Sequence, residues 1–125
     1  MSRLNRLGAW ELAPLVRSGD VKPSEVMAAH LDRIAAREPQ IGTFQCLDAD
    51  RAMARARAAD DHPATGPLHG VPFVIKDIID TAEMPTGWGF DPYSMRQPKA
   101  NAVCVDAMVA AGAIPIGKTV TTEFA

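Results

Sequence analysis

The feature that most constrains the fold of this chain is an apolar run that ends in two charged residues. Residues 70–77 read Gly-Val-Pro-Phe-Val-Ile-Lys-Asp, so the run has the length of a strand and stops at Lys76 and Asp77. A strand buried on both faces shows such a continuous apolar pattern, whereas a half-exposed strand alternates. The run therefore predicts a buried strand whose carboxyl end carries Lys76.

The residues further along predict a helix and then a second strand. Residues 102–111 are apolar at helical spacing, with Asn101 suited to cap the helix and Gly112 suited to end it. Residues 113–116 then form a short strand pattern, and strand, helix, strand in this order predicts a right-handed parallel crossover. Pro115 cannot donate a ladder hydrogen bond, so we expect this strand to lie at a sheet edge or to be irregular there.

Helical patterns dominate the first 60 residues. One helix is predicted from Pro23 to about Arg37, because a proline suits its first position and an apolar stripe follows at helical spacing. Residues 49–59, rich in alanine and arginine, predict a solvated surface helix. A shorter helix is predicted over residues 9–17, although Pro14 lies beyond its first turn.

These patterns together predict an α/β fold class. A helical part over residues 1–60 would precede a strand, a loop, a helix and a strand over residues 68–125. The formal net charge is -2, which argues against a protein built mainly to bind nucleic acid or an anionic membrane. No apolar run approaches the roughly 20 residues that span a bilayer, and no secretory signal follows the first residues. We therefore expect a cytoplasmic protein.

The cysteines and histidines give no sign of a metal site. Cys46 and Cys104 each stand in an apolar pattern, which predicts two buried free thiols rather than a disulfide. His30, His62 and His69 lack zinc-ligand spacing, and there is no CxxC motif. Neither a metal nor a cofactor is expected.

Residues 81–100 form a long connection without periodicity, which in a compact domain is more often functional than accidental. Trp88, Phe90 and Tyr93 lie within it, close to two glycines. The three aromatic side chains either shape an apolar pocket or cover the edge of the core. The sequence leaves both interpretations open.

Two lysines stand in patterns that indicate incompatible chemistries. Residues Gly112–Thr119 match the phosphate-loop pattern G-x-x-x-x-G-K-[ST], with Lys118 at the lysine position. The context differs from a phosphate loop, because a helix precedes the segment and its strand-like residues include Pro115. Nucleotide binding at this segment is therefore only an alternative.

Lys76 stands where open α/β sheets form their ligand crevices, at the carboxyl end of a strand. An amine desolvated there would be available as a neutral general base. The other interpretation of the same residue is a lysine whose charge reaches solvent, paired with Asp77.

Two long blocks of the chain resemble amidase signature enzymes. Residues Gly66–Asp77 resemble the segment that carries the catalytic lysine of that family, and Asn101–Ala125 resembles its helix, strand and G-K-T-x-x-x-E-F stretch. Residues 23–34 also fit the family's N-terminal helix, so the resemblance covers nearly the whole chain. The chain departs from the family pattern at Thr86–Gly89, where T-x-G-S is more usual, and at Asn101, where aspartate is common.

The resemblance implies an α/β/α fold and hydrolysis of a carbon–nitrogen amide bond by a Ser–cis-Ser–Lys triad, with Lys76 as its lysine. In the family a Gly/Ser-rich segment that follows the matched region supplies both serines and the oxyanion hole. None of the chain's own serines has the required context: Ser2, Ser18, Ser24 and Ser94. We therefore expect residues 1–125 to be the N-terminal fragment of a single amidase signature domain, and to hydrolyse no amide alone.

The same resemblance implies a small-molecule amide as substrate of the full-length enzyme, with no cofactor and no direct contact with nucleic acid or membrane. A fragment of a larger layered fold exposes a sheet edge and an apolar face, so self-association is also expected. Two other interpretations stay open within the family. The chain could be part of the A-type subunit of a tRNA-dependent amidotransferase, or it could be a non-catalytic interaction fragment.

Overall fold

The computed structural model describes residues 3–125, which form helices and strands in alternation. The elements in chain order are α1 (Ala9–Ser18), α2 (Pro23–Ile41), β1 (Phe44–Leu47), α3 (Ala49–Asp60), β2 (Pro72–Lys76), α4 (Val103–Ala110) and β3 (Ile114–Thr119). Short 3-10 helices lie at Leu4–Arg6 and Asp91–Tyr93. Within residues 3–125, no helix is both long enough and apolar enough to cross a bilayer.

The three strands form one mixed sheet in the order β1-β3-β2. β2 and β3 are parallel, as the strand, helix, strand pattern predicts. β3 is the central strand, so of the two alternatives predicted for Pro115, an edge position or an irregularity, the edge position does not apply. The predicted irregularity is present, because the register between β2 and β3 shifts between Phe73 and Val74, next to the pair formed by Phe73 and Pro115. The missing N–H of Pro115 is tolerated at this irregularity.

β1 corrects the prediction that residues 1–60 are helical throughout. It pairs antiparallel with β3, from Phe44 opposite Thr119 to Leu47 opposite Gly117. The strand has only four residues, alternating between half-buried and exposed, which is too short for its periodicity to be recognised in the sequence. The N-terminal part therefore contributes an edge strand to the sheet as well as three helices.

The helix boundaries follow from local chemistry. α2 begins at Pro23, where the missing N–H would have had no helical partner, and the Glu25 carboxylate accepts the Lys22 N–H at 2.8 Å. It ends beyond the predicted Arg37, at Ile41, and the Gly42 that follows has a φ of 65° in the left-handed region. α1 continues through Pro14 as far as Ser18.

The cap predicted for α4 was wrong. The helix is capped at Ala102, and the Asn101 side chain instead accepts the Ala82 N–H at 2.8 Å and donates to Asp106 at 2.8 Å. An amide side chain that can bond across to another segment is drawn away from its local cap by that contact. Asn101 therefore ties the start of α4 to the 81–100 segment.

Three clusters of buried apolar side chains form the core. The largest lies between α2, α3 and β3 and contains Met27, Ala52, Ala56, Ile114 and Ile116. The second lies around α1 and α2 and contains Leu12, Val16, Val26 and Val71. The third, containing Ile75, Met84 and Val105, packs the end of β2 against α4 and the 81–100 segment.

Both cysteines are free thiols, as predicted. The prediction that both are buried was wrong, because Cys104 is exposed and Cys46 is only half-buried. Cys104 lies on the outward side of α4 next to Val103, whose side chain is 86% exposed. The apolar neighbours of Cys104 in the sequence therefore did not indicate that its side chain is buried on this short helix.

Candidate active site

Lys76 and Asp77 lie at the carboxyl end of β2 and have opposite environments. Lys76, the last residue of the strand, is exposed, whereas Asp77 retains only 2% of its accessible surface. Successive side chains of a strand point to opposite faces, which accounts for the difference. Of the two interpretations of Lys76, residues 3–125 show the solvent-exposed lysine rather than the desolvated amine, and Asp77 pairs with Lys118 instead.

The buried lysine of the structure is Lys118 in the central strand, which has no accessible surface. Its Nζ donates to Thr86 Oγ1 at 2.5 Å and to the Pro85 carbonyl at 3.3 Å, and it lies 3.2 Å from Asp77 Oδ1. Burial lowers the pKa of the Lys118 amine below its ordinary value, while hydrogen bonding to Asp77 and its charge act in the opposite direction. A buried ion pair thus stands directly behind the end of β2.

Asp77 connects three segments through its backbone and side chain. Its N–H donates to the Thr119 carbonyl at 2.9 Å, and its own carbonyl accepts the Trp88 N–H at 3.0 Å. Its Oδ2 accepts the Gly87 N–H at 3.1 Å. These bonds join the ends of β2 and β3 to the 85–88 segment.

The structure excludes the phosphate-loop alternative at Gly112–Thr119. Residues 114–119 form β3, and the Lys118 amine is occupied by Thr86 and Asp77. A phosphate loop needs a flexible turn whose successive N–H groups surround the anion, and a ladder strand has no such groups to offer. The motif match is therefore coincidental.

Sequence reasoning missed the pairing of Lys118 with Asp77. A signal for it was present, because parallel neighbouring strands bring their carboxyl ends together, and both strands end close to a lysine. In the register, Lys118 lies opposite Ile75. Asp77 is two residues after Ile75 and therefore lies on the same face as Ile75 and Lys118, opposite to the face of Lys76.

The aromatic side chains of the 81–100 segment pack on one another and on Phe124. Ring centroids are 5.8 Å apart for Trp88 and Tyr93, and 5.2 Å apart for both Phe90 pairs, with Tyr93 and with Phe124. The Arg96 guanidinium stacks 3.9 Å from the centre of the Trp88 ring. Tyr93 and Phe124 keep about half of their surface exposed, so the cluster is partly open to solvent.

A shallow cavity of about 110 Å³ lies beside Asp77. It is bordered by Gly87, Phe90 and Ser94 from the 81–100 segment and by Thr121 just after β3. Most of its walls come from the 81–100 segment, and residues just after β2 and β3 complete it, at the edge of the sheet where a ligand crevice is predicted. Over residues 3–125, no group of three or more histidine, cysteine or acidic side chains could hold a metal ion.

Comparison with known proteins identifies the family. The family model described as Amidase matches residues 25–125 of the chain. The chain belongs to the amidase family. Its N-terminal helix α1 lies outside the matched region, whereas both lysines, β2, α4 and β3 lie within it.

Relatives within the amidase family match the chain along its full length. The A-type subunit of glutamyl-tRNA(Gln) amidotransferase from Acidothermus cellulolyticus is 42% identical over 129 residues, covering 100% of this chain and 26% of the relative. An acylamidase of Rhodococcus erythropolis is 36% identical over 124 residues, which cover 96% of this chain and 26% of the acylamidase. The native peptide amidase of Stenotrophomonas maltophilia superposes with a TM-score of 0.84 at 31% identity, and the match covers 94% of this chain and 25% of the peptide amidase. The chain thus spans about a quarter of the length of these proteins.

Proposed function

We propose that this chain contributes the general base of an amide-hydrolysing site, and that Lys76 is that base. The supporting observation is the contrast between the two lysines. Lys118 is buried and bound to Asp77, whereas Lys76 extends from the end of β2 with its amine exposed. Lys76 is therefore the lysine that a further segment packed on this edge of the sheet could contact.

In the proposed reaction, the Lys76 amine accepts a proton that one serine relays from a second, nucleophilic serine. The serine oxygen attacks the amide carbonyl, and the carbon–nitrogen bond breaks as the lysine returns the proton to the departing amine. Water then hydrolyses the acyl-enzyme by the same proton path. Only a neutral amine can accept the proton, and loss of water favours the neutral form, so the segment that brings the serines must also exclude water from Lys76.

The serines of the described residues do not suit these two roles. Ser24 donates to the Asp60 carboxylate at 2.5 Å, and Ser18 donates to the Leu15 carbonyl at 3.0 Å. Ser94 borders the cavity beside Asp77, in a loop without the glycine-rich context of a nucleophile. We propose that both serines come from a segment other than residues 3–125, so that residues 1–125 alone are inactive.

A second candidate is a role like that of the A-type subunit in a tRNA-dependent amidotransferase. The amidotransferase subunit of Acidothermus cellulolyticus is 42% identical to this chain, against 36% for the Rhodococcus erythropolis acylamidase. Both candidates place the same chemistry at Lys76. They differ in the source and fate of the amide nitrogen, which residues 3–125 do not determine.

The test is a graft in which residues 1–125 replace the matched quarter of the Rhodococcus erythropolis acylamidase. We call this protein the acylamidase graft. We expect it to release the chromophore from an acyl p-nitroanilide, and Lys76→Met to lower kcat by at least about 1,000-fold, since a general base and proton donor is lost at both steps. Lys99→Met is the matched control, because Lys99 is an exposed lysine in the 81–100 segment.

Three results are decisive in this experiment. A folded graft without activity supports the non-catalytic interaction fragment and contradicts the proposal. An active graft whose kcat is the same with and without Lys76 contradicts the role of the lysine. Amide hydrolysis by residues 1–125 alone contradicts the proposed source of the serines.

A further inference from the structure

Asp77 and Lys118 form an ion pair in a place where apolar side chains would be the ordinary choice. Both side chains are almost completely buried, with 2% and 0% of their surface exposed. Asp77 Oδ1 receives no well-directed hydrogen bond from residues 3–125, although Lys118 Nζ lies 3.2 Å away. Replacing a buried ion pair by apolar side chains of similar volume is often neutral or stabilising. The pair is therefore poorly explained as a device for stability.

The contacts of the pair converge on the backbone that carries Lys76. Asp77 is the next residue in the chain, and its N–H and C=O are bonded to Thr119 and Trp88. Lys118 reaches the same region from the neighbouring strand and is bonded to Thr86, whose hydroxyl donates to the Ile79 carbonyl at 3.3 Å. The backbone of Asp77, directly after Lys76, is thus held from β3 through its N–H and from residues 86–88 through its carbonyl.

We propose that Asp77, Lys118 and Thr86 are positioning residues that fix the direction in which the Lys76 side chain leaves the sheet. The proposal rests on the function proposed above for Lys76. In this proposal the three residues act by holding one backbone arrangement at the end of β2. A proton relay needs its atoms within hydrogen-bond distance, so a shift of about 1 Å in Lys76 can lower the rate by about 100-fold.

The charged pair is suited to this task because it has one low-energy arrangement. Apolar side chains could repack in several ways at similar free energy, whereas a buried ammonium must stay near its carboxylate and its hydroxyl acceptor. Lys118 Nζ donates to the Thr86 hydroxyl and the Pro85 carbonyl, and it lies 3.2 Å from Asp77 Oδ1. A displacement of the end of β2 would therefore leave a buried charged group without a partner.

The first test compares Asp77→Asn, Lys118→Met and the double variant in the acylamidase graft. We expect each single variant to lower kcat by about 100-fold with KM changed by no more than about twofold, because substrate binding is not involved. In the double variant no buried charge is left alone, so the melting temperature recovers relative to Lys118→Met while kcat stays low. Recovery of kcat together with the melting temperature, or normal kcat in all three, would overturn the proposal.

A matched pair at Thr86 gives a milder test. Thr86→Val keeps the shape and removes the hydroxyl between Lys118 and Ile79, whereas Thr86→Ser keeps the hydroxyl. We expect the valine variant to lower kcat and the serine variant to retain it. With Lys76→Met already present, Thr86→Val should lower the residual rate no further, since it acts through Lys76. Equal kcat for the two Thr86 variants, or a further loss in the Lys76→Met protein, would count against positioning.

Hydrogen exchange compares the two Thr86 variants in residues 1–125 alone, without an activity assay. We expect the Trp88 N–H, which donates to the Asp77 carbonyl, to exchange with solvent faster in Thr86→Val than in Thr86→Ser. Equal exchange would overturn the proposal even if the graft does not fold.

If Lys76→Met leaves the graft fully active, the proposed function fails. If Lys76→Met abolishes activity and the positioning variants do not lower it, only this inference fails.

Discussion

At the scale of single residues, the structure separates two lysines that the sequence presents as similar. Lys76 and Lys118 both stand near the carboxyl end of a strand, yet only Lys118 is buried. On folding, its amine exchanges its contacts with water for contacts with Thr86 and Asp77. The net effect on Lys118 is a lowered pKa, because the loss of water outweighs the contribution of Asp77.

This lowered pKa predicts how stability depends on pH. The folded protein releases the Lys118 proton at a lower pH than the unfolded chain does, whose ordinary value is 10.5. Between the two values the unfolded state binds more protons, so the free energy of unfolding rises as the pH increases toward 10.5. Urea denaturation at a series of pH values below 10.5 should show this rise, and Lys118→Met should remove it. The control Lys99→Met should keep it, and an identical pH profile for Lys118→Met and the parent protein would contradict the assignment.

The difference between the lysines also shows what the sequence could predict of the site. The apolar run before Lys76 was sufficient to place that residue at the end of β2. Its exposure was not predictable, because it depends on which face of the strand Asp77 occupies and on the partner that buries Asp77. That partner, Lys118, is 41 positions further along the chain, so only the predicted parallel pairing of the two strands, and no local pattern, could have indicated the contact.

At the scale of the elements, the sheet depends on a close approach between β1 and β3. A Cβ at Gly117 would lie 2.3 Å from the carbonyl oxygen of Cys46. Only glycine allows the two backbones to be so close, since no side chain atom but hydrogen fits between them. The antiparallel pairing of β1 with β3, which the sequence did not reveal, thus depends on Gly117, a residue of the segment that matches the phosphate-loop pattern.

Gly117→Ala should therefore separate β1 from β3 and lower the free energy of unfolding by about 3 kcal/mol, as overpacking at rigid backbone does. Gly42→Ala is the matched control. Its Cβ would meet nothing within 4 Å, and only its φ of 65° would be strained, so we expect a loss of about 1 kcal/mol. Chemical denaturation of the two variants measures both values. An equal or smaller loss for Gly117→Ala would contradict the close strand approach.

The elements also show which patterns were reliable. α2 was predicted from its apolar stripe at helical spacing, α3 from its composition rich in alanine and arginine, and β2 from its continuous apolar run. β1 was missed because four residues define no period, and the central place of β3 was missed because Pro115 favours an edge unless the ladder is irregular. The errors therefore concentrate where pairing between distant segments, rather than local preference, decides the structure.

At the scale of the whole molecule, several large apolar side chains are exposed. Trp10 and Met95 are each 79% exposed, and Val103 on α4 is 86% exposed. The chain spans about a quarter of the length of its relatives in the amidase family. Exposed apolar surface of this kind favours association in water.

We accordingly expect the chain to self-associate as its concentration rises, measured by sedimentation velocity. Val103→Lys should weaken the association, because it replaces an exposed apolar group of α4 by a charge. Ala36→Lys adds the same charge on the exposed side of α2 and should have a smaller effect. A single monomeric species over the whole concentration range would contradict this prediction.

The central claim is that the amine of Lys76 acts as a base in amide hydrolysis, and chemical rescue tests it most directly. In the acylamidase graft, Lys76→Ala should lower kcat by at least about 1,000-fold, and added ethylamine should restore part of the rate in proportion to its neutral form. Lys99→Ala with the same amine should show no change. The claim is contradicted if Lys76→Ala retains the parent rate, or if rescue follows the total amine concentration irrespective of its protonation.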